Sequence, residues 1–341
     1  MNKILRILAT GTILYITINL LTPYNGFLRE RSIDNQINYL NKLLDQGYDN
    51  TLQNRYPEGK VFSNALFALS IIEYAQQSRK PQKKWAQMVD TRINQLISKK
   101  ARATFVEEMN PPYGAFYTGW VNLVLKSYIE SDLFVECASK QKFKDQHTQL
   151  TKKIVQVQSD SIRILDTYPG SNWPGDNLVA LISISDTQIQ ENWLKQLYKT
   201  SESKFPLIHH VGSRVHEVRG SSQALIIYLI AQYDFKKAEK DNIHFQSNFI
   251  DNFLGIEFVK EHLEKNEDAD IDSGPVILGY GAAATIMNIK TQASLQQKKA
   301  KNTWAFLNML SCPINIFNGK YYLLKQEPMF DIFMLWAAVE L

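Results

Sequence analysis

Six times along this chain, a short loop rich in Gly, Pro and aromatic or acidic residues gives way to an apolar stretch of helical length. The loops are Tyr56-Pro57-Glu58-Gly59, Pro111-Pro112-Tyr113-Gly114, Trp173-Pro174-Gly175-Asp176, Glu217-Val218-Arg219-Gly220, Asp272-Ser273-Gly274-Pro275 and Lys325-Gln326-Glu327-Pro328. Counted from Gly59, Gly114, Gly175, Gly220, Gly274 and Pro328, the intervals are 55, 61, 45, 54 and 54 residues. A recurrence near 50 residues has room for two helices and two loops, and a fixed period of this length marks a repetitive architecture.

The stretches after the junctions share a character. Phe62 to Ala75, Phe116 to Ile129, Asn177 to Ile184, Ser221 to Tyr233, Val276 to Ile289 and Met329 to Val339 are apolar nearly all round. A helix without a polar face has to be buried on every side. Between them lie stretches that alternate charged and apolar residues: Asp34 to Leu44, Lys83 to Ser98, His147 to Leu165, Thr187 to Tyr198, Asp241 to Leu254 and Thr291 to Leu310. In the first, Ile37, Leu40 and Leu44 fall at steps of three and four, the spacing of one helix face. Six buried and six amphipathic helices in alternation predict an inner ring wrapped by an outer one, an all-α (α/α)6 toroid over residues 32–341. Long β-type alternation is absent.

Ahead of this domain, Ile7 to Leu28 carry no charged side chain and follow Lys3 and Arg6. A bilayer core of about 30 Å needs roughly 20 helical residues, so residues 1–28 read as a transmembrane anchor. The rival reading is a cleaved secretory signal, for which Leu21-Thr22-Pro23-Tyr24 lacks the small residues expected at a cut. The basic N-terminus places the short end in the cytoplasm and the folded domain outside it, in a periplasmic or other extracytoplasmic location. Arg29 and Arg31 flank the other end and weigh against that orientation.

Net charge is +4, thinly spread and without a Lys/Arg run, so no nucleic-acid partner is expected. The two cysteines, Cys137 and Cys312, have no CxxC spacing, which excludes a thiolate zinc site. They read either as one disulfide or as two buried thiols. Gly-rich nucleotide loops, HExxH and GxSxG are missing, so no cofactor and no metal is expected. His209, His210 and His216 on one loop read better as residues with separate roles than as a metal cluster.

The junctions Tyr168-Pro169-Gly170-Ser171-Asn172-Trp173-Pro174-Gly175-Asp176-Asn177, His216-Glu217-Val218-Arg219-Gly220 and Asp270-Ile271-Asp272-Ser273-Gly274-Pro275 resemble those of (α/α)6-toroid enzymes. That class holds six-hairpin glycosidases, some lyases and the linalool dehydratase/isomerase-like group, which these segments resemble most. The resemblance spans residues 32–341. The characterised chemistry of the linalool group is associated with cysteines near the substrate, and no junction here contains one.

In such a toroid the loops that precede inner helices all open at one end. The candidate catalytic residues are therefore Asp176, Glu217 and Asp272, with Tyr56, Glu58, Tyr113, Tyr117, Trp173, His216, Arg219 and Asp270 as substrate-binding residues. Aromatic faces stack on C–H surface while paired carboxylates handle protons, so the leading expectation is acid/base hydrolysis of a glycan or similar hydroxylated small molecule. A lyase or isomerase of the linalool dehydratase kind and a non-catalytic binding scaffold are the alternatives. Asp176 and Asp272 could equally be helix caps, and Glu217 with Arg219 a structural ion pair.

Overall fold

A computed structural model describes residues 3–78, 83–132, 137–201, 206–212, 217–263, 273–324 and 328–341. These residues are mostly helical, with fifteen α-helices, one 3-10 turn and six short strands. His216, Asp270 and Asp272 lie outside the described residues.

Six helices follow the junctions, five directly and α13 after a hairpin: α4 (Gly59–Ser78), α7 (Gly114–Glu130), α9 (Pro174–Ile182), α11 (Gly220–Ala231), α13 (Ala282–Ser294) and α15 (Pro328–Glu340). Each packs on the next, and α15 returns to α4, so the contacts close into a cycle. Their sequences explain the burial: in α11, Gln223, Ala224 and Ile226 to Ile230 are all withdrawn from water. A second set backs them. α2 (Gly26–Asp45) packs on α15, α3 (Tyr48–Arg55) and α5 (Lys83–Leu96) on α4, and α8 (Lys140–Asp160) on α7. Likewise α10 (Thr187–Ser201) packs on α9, α12 (Phe235–Phe249) on α11, and α14 (Lys299–Leu310) on α13. This set is amphipathic: α5 buries only Trp85, Val89, Arg92, Ile93 and Leu96. The remaining helices are the short α6 (Lys99–Arg102) and the N-terminal α1 (Lys3–Leu21).

Two junction glycines show why the repeat needs that residue. A Cβ on Gly220 would sit 2.0 Å from the Lys260 carbonyl oxygen, because α11 starts against that backbone. Gly114 has φ +78°, and a Cβ there would lie 2.2 Å from the Thr167 carbonyl oxygen. Neither site has room for a side chain.

Three departures from the sequence reading concern element boundaries. Val276 to Gly281 do not begin a helix but form the hairpin β3 (Val276–Ile277) and β4 (Tyr280–Gly281), and α13 starts afterwards. The amphipathic stretch ending at Leu254 becomes α12 followed by β1 (Ile250–Phe253), paired with β2 (Ile256–Val259). Thr291 belongs to α13, while α14 runs only from Lys299 to Leu310 and feeds the hairpin β5 (Pro313–Ile316) and β6 (Gly319–Tyr322). All three sheets are two-stranded.

At the N-terminus, the uncharged stretch is also divided. Leu5–Tyr24 is long and apolar enough to cross a membrane. The chain then turns at Thr22–Tyr24, and Phe27 and Leu28 already belong to α2, capped by Asn25, whose Oδ1 accepts from Leu28 N at 3.0 Å.

The axis of the helical cycle is filled. Phe62 meets Trp120 at 5.1 Å and Phe333 at 5.5 Å between ring centroids. Further along, Trp336 contacts Trp120 and Tyr228. Beyond them Lys290 lies over the rings of Tyr228 and Trp336 and pairs with Glu73 and Glu340, tying α13 to α4 and α15. Burial raises the Glu73 carboxyl above its ordinary range, and Lys290 pulls it back. Cys137 and Cys312 are free thiols.

Candidate active site

The first turns of all six cyclic helices surround one cavity of about 230 Å³. That is below the roughly 300–1,000 Å³ of drug-sized ligand sites, so it suits a compact ligand. Its walls are sorted by depth. Phe62, Trp120, Leu225, Met287 and Phe333 stand about one turn or more inside their helices and make an apolar floor. Glu58, Thr167, Asp176, His210, Ser221 and Ser222 stand at or before the first turns and make a polar collar. Tyr56, Tyr168 and Trp173 complete the collar with aromatic faces.

Among the described residues two carboxylates belong to the collar, each held by a neighbour's hydroxyl. Thr167 Oγ1 donates to Asp176 Oδ2 at 2.7 Å, and the Tyr168 hydroxyl donates to Glu58 Oε1. Tyr168 thereby joins the first junction to the third. Asp176 is the third residue of α9, whose N-cap is Trp173 with Pro174 next, so Asp176 is not the cap itself. It lies in the first turn, where the helix dipole favours its ionised form. Burial pushes the Tyr56 hydroxyl up to about 12, so it is protonated at neutral pH.

The fourth junction supplies a chain of polar contacts. Arg219 Nε donates to Glu261 Oε1 at 3.0 Å, and Ser221 Oγ donates to the same oxygen at 2.6 Å. Arg219 Nη1 meets His210 Nε2 at 3.2 Å, and His210 Nδ1 meets Ser222 Oγ at 2.6 Å. A guanidinium only donates, so His210 Nε2 accepts. A neutral imidazole carries one proton, which must then be on Nδ1, and Ser222 accepts it. His210 is therefore not a base toward Ser222, and the Ser222 hydroxyl keeps its own proton for another acceptor. Burial pushes the Glu261 carboxyl up, while Ser221 and Arg219 pull it back. Arg219 thus pairs with Glu261, a residue outside every junction motif.

Of the sequence-derived candidates, Tyr56, Glu58, Trp173 and Asp176 line the cavity. Tyr113, Tyr117, Glu217 and Arg219 are not among its lining residues. Tyr117 is buried, with its hydroxyl donating to the Leu96 carbonyl oxygen at 3.1 Å, and Tyr113 stacks edge-on against it under Arg102. Glu217 accepts a backbone hydrogen bond from His210 N at 2.8 Å. Arg219 is buried one step behind the wall, oriented toward His210. The third proposed acid, Asp272, is outside the described residues, as are Asp270 and His216. His210, Ser222, Thr167 and Tyr168 were not singled out as site residues in the sequence; Tyr168 carried a signal, lying in the longest junction motif, and His210 stood out only as one of three histidines weighed as a metal cluster. No protein-family model and no curated protein matches this chain.

Proposed function

We propose that the chain is a membrane-tethered (α/α)6-toroid enzyme that performs acid/base chemistry at a hydroxyl group carried by a compact hydrocarbon skeleton, as a lyase or isomerase. The observation that carries this reading is the layering of the cavity: two carboxylates, Glu58 and Asp176, in a polar collar above an apolar floor. A glycan has hydroxyls on every side, and a floor of Phe, Trp, Leu and Met would strand them without partners. An alcohol with one polar end leaves nothing unsatisfied there.

In the elimination direction, one collar carboxyl gives its proton to the substrate hydroxyl as the C–O bond breaks and water leaves. The other, ionised, takes a proton from the adjacent carbon, and that C–H pair becomes the new C=C bond. Solvent exchange returns the first proton and removes the second. Ser222, with its hydroxyl proton uncommitted by His210, donates a hydrogen bond to the oxygen and orients it. Aromatic faces of Trp120 and Trp173 stabilise positive charge developing on carbon.

The test is turnover of a graded set of unsaturated alcohols, followed by appearance of the alkene. Glu58→Gln and Asp176→Asn should each lower turnover by at least about 100-fold, the usual contribution of a general acid or base. Wild-type hydrolysis of glycosides with no attack on alcohols would overturn the reading in favour of a glycosidase. Binding of alcohols without turnover would leave only a binding protein.

A further inference from the structure

α1 docks on α14 in a fixed register, and that register tells which end of the molecule it leaves from. Tyr24 bonds to Asn302, Asn308 Nδ2 donates to Asn19 Oδ1 at 3.2 Å, and the Tyr15 hydroxyl donates to the Pro313 carbonyl oxygen at 3.1 Å. Numbers fall along α1 as they rise along α14, so the two run antiparallel. α1 therefore projects past the C-terminal end of α14. From there β5 and β6 fold back on each other, with Leu324 N donating to Ser311 O, and Pro328 follows four residues after Leu324. Four residues reach at most about 14 Å, so α1 emerges close to the start of α15, where Met329 lines the cavity. The helix leaves from the mouth end.

Apolar side chains are exposed at that end. Phe317, at the tip of the β5–β6 hairpin, is 99% exposed, and Leu278, at the tip of β3–β4 just ahead of cavity-lining Ala283, is 93% exposed. Leu310, Ile316, Leu323 and Leu324 are also more than half exposed. Isolated exposed apolar residues are ordinary, but Leu310, Ile316, Phe317, Leu323 and Leu324 belong to the last turn of α14 and the one hairpin that follows it, and such a group marks a contact surface. Lengths fit a bilayer. Lys3 to Leu14, the part beyond Tyr15, spans about 18 Å of helix, short of a hydrocarbon core of about 30 Å. For Leu5–Tyr24 to cross, the rim beside it must sink by about 12 Å, which would carry exposed apolar side chains around the end of α14 into the leaflet.

We infer that the mouth faces the membrane in which α1 sits, that its apolar rim is seated in one leaflet, and that the cavity draws its alcohol substrate from the bilayer. The last element rests on the proposed acid/base reading; the orientation does not. An apolar alcohol concentrates in lipid with its hydroxyl near the surface. The polar collar and apolar floor accept it once it leaves the leaflet.

The experiment uses the full chain with Cys137→Ser and Cys312→Ser, reconstituted in phosphatidylcholine vesicles and labelled with an environment-sensitive fluorophore at one introduced cysteine. Nitroxide groups on the lipid acyl chains should quench the label at Phe317→Cys and Leu278→Cys by at least about half as strongly as at Leu8→Cys on α1. They should leave Gln188→Cys, at the start of α10 on the opposite end, unquenched. Quenching at Leu8→Cys alone would place the mouth in water and overturn the orientation. Quenching at Gln188→Cys would invert it, and no quenching at Leu8→Cys would remove the membrane from the proposal. A medium-chain alcohol bearing a diazirine, dissolved in the same vesicles, should photolabel the peptides holding Met287 or Phe333, and Met287→Trp should block this by filling the floor. Labelling that survives Glu58→Gln while turnover is lost separates substrate capture from chemistry. Quenched rim labels with no photolabelling would refute the substrate class and keep the orientation.

Discussion

Glu58 and Asp176 come from different repeats and are brought to one collar only by tertiary folding, yet both sit beside a Gly–Pro break that sequence alone exposes. That is why four of the nine collar residues were readable: Tyr56, Glu58, Trp173 and Asp176 lie in junctions. His210 and Glu261 were not, because their roles depend on Arg219 bridging two distant loops, and no local pattern encodes that bridge. A second buried ionisable residue gives a pH prediction. Lys320 is fully enclosed between α2 and α14, its Nζ donating to Ser32 Oγ and Asn308 Oδ1 at 2.9 Å each. Burial lowers its pKa from 10.5 to about 7, with Asp331 opposing. Between those values the unfolded chain binds a proton that the folded chain does not. Stability due to this residue therefore rises with pH across that window, and the penalty is complete below about pH 7. The slope is at most about 1.4 kcal/mol per pH unit. Thermal melts from pH 7 to 9 should show an upward slope for the wild type that is larger than for Lys320→Met; equal slopes would refute the assignment.

Helices were legible because their periodicity runs over ten or more residues, whereas the strands were not. Each strand has only two to four residues, and β1 simply continues the apolar spacing of α12, so no change of period announces it. The turns do carry Gly255, Gly279 and Asn318 at positive φ, but Leu254, Leu278 and Phe317 just ahead of them, also at positive φ, extend the apolar run and disguise the break. The junction glycines are the converse case, visible in sequence for a reason that only packing supplies. Gly220→Ala should wedge α11 away from the Lys260 backbone and loosen the contact of Ser221 and Arg219 with Glu261. Overpacking of this kind costs about 1–3 kcal/mol, to be read as a lower denaturation midpoint. A variant as stable as the wild type would mean that the 259–261 segment yields freely.

At the scale of the whole molecule, the alternation of buried and amphipathic stretches was sufficient to anticipate a mostly helical chain, but not what fills the space between its apolar helices. Lys290 is the device at the far end. It is fully buried between Glu73 and Glu340, which come from α4 and α15. Lys290→Met would leave two carboxylates facing each other across the closure. Removing one partner of a buried pair costs about 3–5 kcal/mol, and chemical denaturation should register it while cavity ligands still bind the surviving fold. A loss below about 1 kcal/mol would show that water relieves the two acids.

The same plug of Trp120, Trp336 and Tyr228 governs traffic. Among the described residues the axis is closed behind the floor by these rings, so what enters by the collar leaves by it, and substrate and product share one passage. Occupancy is then exclusive: product accumulated outside competes for the same vacancy, raising the apparent KM in proportion to its concentration while leaving kcat untouched. Progress curves should bend early for that reason, and adding the product from the start should lower the initial rate at low substrate and not at saturating substrate.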